Sequence, residues 1–303
     1  MDRFNQSSPN PFRALKVRWV LAGFVVISAI LGLGLILLLS LSLLPIEVGD
    51  PILAPTLYIL VFTGLCLMIV AQGRSPALNL RDLFGPLPWR LAWLQLLWLV
   101  AGLFLFSLGA FQISYLGLSW VAPRLVESTL QQSLLLSVDN AAAPHLYNGL
   151  MLFAVVVVAP VAEEFIFRGI LLHRWGLKWG VRTAMVMTSV LFGLLHSNLI
   201  GLFMFGVVMT LLYLTTRSLL VPMVAHALNN ALASGLEYAT QSRALTPIYT
   251  LADFRSSWWL GVLCLLVSAP WVLRYVVYHW PTQTTPLPYF VNQNQRIQAE
   301  QRP

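Results

Sequence analysis

The stretch AEEFIFRG, residues 162–169, closes one of the most apolar runs of the chain, LMLFAVVVVAPVAEE. Its adjacent acids, Glu163 and Glu164, are costly to desolvate, and a carboxylate kept in such a setting is paired or functional. Glu164 and Arg168 are four residues apart, in the acid-first order that supports an ion pair on one helical face. Glu163, turned about 100° from its neighbour, is then left to face something else. The alternative is a helix end at the membrane interface with both acids hydrated. His196 ends VLFGLLH and His226 opens HALNNALASG, again inside apolar runs. Asn230 lies one helical turn after His226 and shares its face, whereas Asn229 does not. Singly, each of these imidazoles and amides reads equally well as a packing group bonded to a neighbouring helix. Phe192 shares the face of His196 and is expected to pack against it.

Together these types suggest one reaction. A carboxylate and an imidazole can bind and deprotonate a water, while a second imidazole and an amide can donate to a developing oxyanion. The sum is acyl transfer to water: peptide or ester hydrolysis, peptides being the commoner need inside membranes. A second mechanism uses the same residues. Glu163, His196 and His226 form a His₂Glu set, and three such ligands plus water describe a catalytic zinc site, with Glu164 as general base. On a regular helix Glu164 points away from that set and toward Arg168. The expectation is therefore hydrolysis with no cofactor and no metal ligands, zinc being the alternative.

Elements must bring these residues together, and the composition says what kind. Of 303 residues, 58% are hydrophobic and 10% charged, with a mean hydropathy of +0.77. These values fit a polytopic membrane protein. Eight apolar runs are long enough, or nearly so, to cross a bilayer: 17–44, 52–71, 91–113, 146–172, 182–196, 199–216, 218–238 and 257–279. The first is too long for a signal-peptide core and lacks a convincing cleavage site, so a retained helix is expected. Residues 114–145 read as one long outer loop, and the polar tail 280–303 as disordered. Cys66 and Cys264 sit inside apolar runs and suggest neither a disulfide framework nor a thiolate metal site.

The net charge of +7 has no clustered stripe or nucleic-acid-binding motif behind it, so no nucleic-acid partner is expected. Topology accounts for the charge instead. With the amino terminus inside, fifteen of the 18 basic residues fall on the inner side and only Arg124, Arg243 and Arg255 on the outer. That bias follows the positive-inside rule and predicts cytosolic termini. Counted at 1.5 Å per residue, Glu163 lies about 13 Å from Leu172, His196 about 21 Å from Arg182, and His226 and Asn230 about 13 and 20 Å from Arg217. Four polar residues from three helices thus fall in one central band. The fifth run is short, so the break HSN at 196–198 should lie below the outer surface, against protein or a water-filled cavity.

EEFIFR, FGLLH and HALNN match Glu-Glu-x-x-x-Arg, Phe-x-x-x-His and His-x-x-x-Asn. In this order, on successive predicted helices, they resemble the CAAX-protease and bacteriocin-processing (CPBP, or Abi) family, which includes the type II CAAX prenyl endopeptidase. The resemblance covers roughly residues 146–238. It implies an all-α, polytopic transmembrane bundle with an intramembrane polar cavity opening toward the cytosol. It also implies that Glu163 and His196 activate water, His226 and Asn230 hold the oxyanion, and Glu164 and Arg168 support them. The implied partners are the bilayer and a membrane-associated or lipidated protein or peptide substrate. The expected organisation is an N-terminal tail (1–16), N-terminal helices with the outer loop (17–145), a catalytic core (146–238), a last helix (257–279) and the tail (280–303). A non-catalytic protein that binds a membrane peptide, confers immunity or transports is the competing class; the paired broken helices of many transporters are not evident.

Overall fold

The computed structural model describes residues 10–44, 46–47, 49–72, 78–88, 92–135, 143–241 and 250–301. Residues 1–9 and 136–142, with Arg3, Arg74, Arg90, Arg243 and Arg302 of the topology argument, lie outside the described residues.

Each of the eight apolar runs falls on a helix. In chain order the helices are α1 (Pro11–Ala14), α2 (Val17–Ser40), α3 (Leu53–Gln72), α4 (Leu80–Phe84), α5 (Trp93–Val121), α6 (Pro123–Leu130) and the long α7 (Pro144–Trp179). There follow α8 (Val181–Leu194), α9 (Leu199–Thr216), α10 (Leu220–Gln241), α11 (Leu251–Ser256), α12 (Trp258–His279) and α13 (Pro288–Glu300). Among the described residues there is no strand. Among the described residues six helices are long and apolar enough to span a bilayer, namely α2, α3, α5, α7, α9 and α12, while α8 is shorter. The protein is a polytopic helical bundle.

α9 runs through the centre, with Phe205, Val207, Val208, Met209, Leu211 and Tyr213 all buried. Small residues set the close approaches, as membrane helices require. A methyl group on Gly206 would lie 2.9 Å from Ser189 on α8, and one on Gly109 of α5 would lie 2.7 Å from the Gly261 carbonyl on α12. By contrast α2 packs chiefly on α3 and leaves most of its apolar surface exposed.

α8 is short, and the chain breaks at residues 195–198. Two hydrogen bonds tie the break to α5: Tyr115 donates to the Ser197 carbonyl at 3.1 Å, and the Asn198 amide donates to Ser107 at 2.8 Å, while Leu195 stays exposed. Asn198 also caps α9 through the Gly201 N–H.

Two expectations fail. The loop 114–145 is not one loop, because α5 continues to Val121 and α6 follows directly after Ala122. Beyond residue 113 the helix goes on: Ser114 turns its hydroxyl back onto the Phe111 carbonyl and Tyr115 is buried. The tail is not disordered either. Pro288 starts a helix that buries Tyr289 and Asn292. Asn292 donates to the carbonyls of Asp82 and Arg217, and Arg296 clasps the buried Asp82 carboxylate at 2.9 and 3.0 Å. Those hydrogen bonds hold the Arg296 guanidinium above its ordinary range. Polarity alone concealed these partners, of which Asp82 lies 210 residues and Arg217 75 residues from Asn292 in sequence.

Candidate active site

α7 is not a uniform helix. Two π-helical turns, Ala154–Val158 and Phe165–Leu171, flank the α-helical Ala159–Glu164 that carries both acids. Pro160 gives the first its cause. It has no N–H and its ring crowds the carbonyl four residues back, so the preceding turn widens. The Ala159 N–H bonds the Ala154 carbonyl, five residues back. The next carbonyl, Val155, would need an N–H from residue 160, which proline lacks. Asn230 of α10 supplies the donor instead, with its Nδ2 at 2.9 Å from Val155 O.

The predicted pair is present. Arg168 Nη1 lies 2.8 Å from Glu164 Oε1, both side chains essentially inaccessible. Arg168 is fixed further by donation to the Gly206 carbonyl at 3.0 Å and by the Phe192 ring 4.9 Å away.

Glu164 is not turned away from the histidines, however. Its Oε1 also receives His226 Nδ1 at 2.9 Å, and His226 Nε2 lies 3.9 Å from Glu163 Oε2. The expectation from helical angles treated each acid as a ray. The imidazole instead lies across the space between two neighbouring side chains and presents one nitrogen to each. With Nδ1 on Glu164 Oε1, the imidazole presents its other nitrogen, Nε2, toward Glu163. A gap of 3.9 Å is too long for a direct hydrogen bond and suits one shared water. Glu163 Oε2 is buried and has no hydrogen-bond partner among the described residues. Its other oxygen, Oε1, accepts from the hydroxyl of Tyr58 on α3 at 3.0 Å.

His196 stands at the break after α8, with Nδ1 2.7 Å from the Phe192 carbonyl, leaving Nε2 as its free nitrogen. Phe192 packs against both imidazoles, at 4.6 Å from the His196 ring and 6.0 Å from that of His226. Arg168, Glu164 and His226 are thus in one bonded chain that faces Glu163 across 3.9 Å, His196 adjoins it through Phe192, and Asn230 joins α10 to α7. The Asn230 Oδ1 faces Asn229 Nδ2 at 3.5 Å.

A zinc ion needs three or four ligand atoms within about 2.3 Å of one point. Among the described residues no three His, Cys, Asp or Glu side chains converge in that way. His226 also has its Nδ1 on Glu164 and its Nε2 toward Glu163, without a third donor at the same point.

Two residues escaped the sequence reading. Tyr58 stands in APTLYILVF, and a tyrosine in an apolar run carries no signal that separates it from an interfacial anchor. The other is His173, which is fully buried. Its Nδ1 bonds the Arg168 carbonyl at 3.1 Å and its Nε2 accepts from Tyr289 N at 3.2 Å.

The fold and this chain of buried charges define a multi-pass membrane protein with an acid–base cluster inside the helical bundle. Residues 145–232 match the family model described as type II CAAX prenyl endopeptidase Rce1-like. The chain is also similar to "Putative membrane peptidase YdiL" of Bacillus subtilis (strain 168), at 34% identity over 143 residues. That stretch is 45% of this chain and 54% of the relative, so the chain spans about half the length of the relative it matches. No solved structure matches.

Proposed function

We propose that the protein is an intramembrane endopeptidase that hydrolyses a peptide bond in a membrane-associated or lipidated protein or peptide. The observation that carries this reading is the ordered chain Arg168–Glu164–His226 aimed at Glu163, with Glu163 Oε2 and His226 Nε2 facing each other at 3.9 Å. Glu164 acts on His226 as the orienting carboxylate of a hydrolytic triad acts on its imidazole, fixing tautomer and direction. A water shared by Glu163 and His226 loses its proton to this pair as it attacks the carbonyl carbon. The proton then passes to the leaving amine, and the C–N bond breaks. The resemblance assigns Glu163 and His196 to water activation and His226 with Asn230 to the oxyanion. In this reading His226 joins the water-activating pair instead, because its Nε2 faces Glu163, and Asn230 keeps the oxyanion. His196 Nε2 and the second N–H of the Asn230 amide are the groups available for those tasks. No step requires a metal, and the donor geometry supports a metal-free reaction.

The test compares the termini of membrane proteins, by mass spectrometry, from cells with the wild-type protein and cells with Glu163→Gln. Peptides ending at a common sequence context only with the wild type support the reading. Identical terminal profiles, with both proteins inserted and equally abundant, count against it. Elemental analysis and dialysis against a chelator address the metal: activity should survive at sub-stoichiometric zinc. Loss on chelation and recovery with one zinc per chain would overturn the metal-free mechanism.

A further inference from the structure

Tyr58 lies outside the segment matched to the endopeptidase family, on a helix that the motifs do not touch. It nevertheless reaches into the cluster, donating to Glu163 Oε1 at 3.0 Å across 105 positions of sequence. We propose that Tyr58 is a positioning residue, holding the Glu163 carboxylate so that Oε2 faces His226. This inference rests on the hydrolase reading above.

The geometry leaves Glu163 little else to hold it. A glutamate has a freely turning terminal torsion, so its two oxygens exchange places unless one is bonded. Here Oε1 has the Tyr58 hydroxyl and Oε2 has no hydrogen-bond partner among the described residues, yet Oε2 is the oxygen 3.9 Å from His226 Nε2. One donor on one oxygen therefore determines which oxygen is presented to the shared water. The tyrosine is itself braced. Its ring packs on Phe62, one turn along α3, at 4.4 Å between centroids, and Phe62 in turn meets Phe24 of α2 at 6.0 Å. α3 packs directly on the part of α7 that holds the acids. The competing role is that of a buried tyrosine satisfying its hydroxyl on the nearest acceptor. Such a residue would affect stability and leave turnover of the folded enzyme unchanged.

Tyr58→Phe keeps the ring and removes the donor. It is compared with wild type and Glu163→Gln in detergent micelles, using a quenched fluorescent form of the peptide identified from the terminal profiles. Loss of orientation should lower kcat about 10- to 100-fold, with KM within twofold and the thermal midpoint little changed. A substrate-independent reading accompanies it. The carboxylate stretching band of Glu163, isolated as the wild type minus Glu163→Gln infrared difference, should shift when the hydrogen bond is removed in Tyr58→Phe. Wild-type kcat in Tyr58→Phe, with Glu163→Gln inactive, overturns the positioning role and leaves the hydrolase reading standing. A Tyr58→Phe protein that loses only folded fraction, with normal kcat per folded molecule, overturns it equally. Near-normal turnover by Glu163→Gln, or no cleavage-dependent termini with the wild type, overturns both.

Discussion

Glu163 and His226 face each other without touching, and the reading of them as water-activating groups makes their removal decisive. Glu163→Gln and His226→Ala should each lower turnover at least about 100-fold while membrane insertion and thermal midpoint are kept. A folded variant with near-normal turnover removes that residue from the chemistry. Glu164 and Arg168 belong to a different test, because the pair is buried and either single change strands a charge. Arg168→Met or Glu164→Gln alone should cost about 3–5 kcal/mol, and the double variant much less than the sum. Strictly additive losses in unfolding experiments would refute the coupling. At this scale the sequence disclosed the pair, since i,i+4 spacing is a local property. It did not disclose that Glu164 also meets His226, because a helical wheel records directions and not the reach of a glutamate or the width of an imidazole.

The elements carry information that a regular helix would not. α7 widens into π turns on both sides of its acids, and the first of these has a local cause in Pro160. That turn leaves the Val155 carbonyl without a helical donor, and Asn230 provides one. Asn230 therefore has a structural task besides the oxyanion role that the resemblance implies. The two tasks separate in a double-mutant cycle. Asn230→Ala should destabilise the protein by about 1–3 kcal/mol, the cost of an unpaired buried carbonyl. In a Pro160→Ala background residue 160 regains its N–H, so the same change should cost less. An undiminished loss would show that Val155 is not what Asn230 satisfies. Residues 146–238 were legible as helices from apolar runs, and the short α8 and its break from length alone. The π turns were not, because the hydrophobic pattern sets a helix's face and leaves a single extra residue per turn invisible.

The molecule as a whole is closed at one end by a collar that polarity concealed. α1, α4 and α13 gather there around the fully buried His173: Phe12 stacks on its ring at 4.6 Å, Tyr213 meets it at 5.8 Å and Tyr289 bonds its Nε2. With Arg13, Lys16, Arg174, Lys178 and Arg182 in the segments that build it, the positive-inside rule predicts that this end faces the cytosol. In a background with Cys66 and Cys264 replaced by alanine, a cysteine at exposed position 178 should react with an impermeant maleimide only from the cytosolic side. One at position 124 should react only from the opposite side, and the reverse pattern would invert the topology. The collar also links distant chain ends to the site, since His173 bonds the carbonyl of Arg168. Its weakest seam is α13, a largely polar helix held by Tyr289, Asn292 and Arg296. Arg296→Ala leaves the Asp82 carboxylate, 2% exposed, without its guanidinium, so hydration of that acid then favours opening. Limited proteolysis should accordingly cut the variant within residues 282–300 before any spanning helix is attacked, while the wild type resists there. Equal resistance of the two proteins would show that α13 is held by its apolar contacts and that the Asp82–Arg296 clasp adds little.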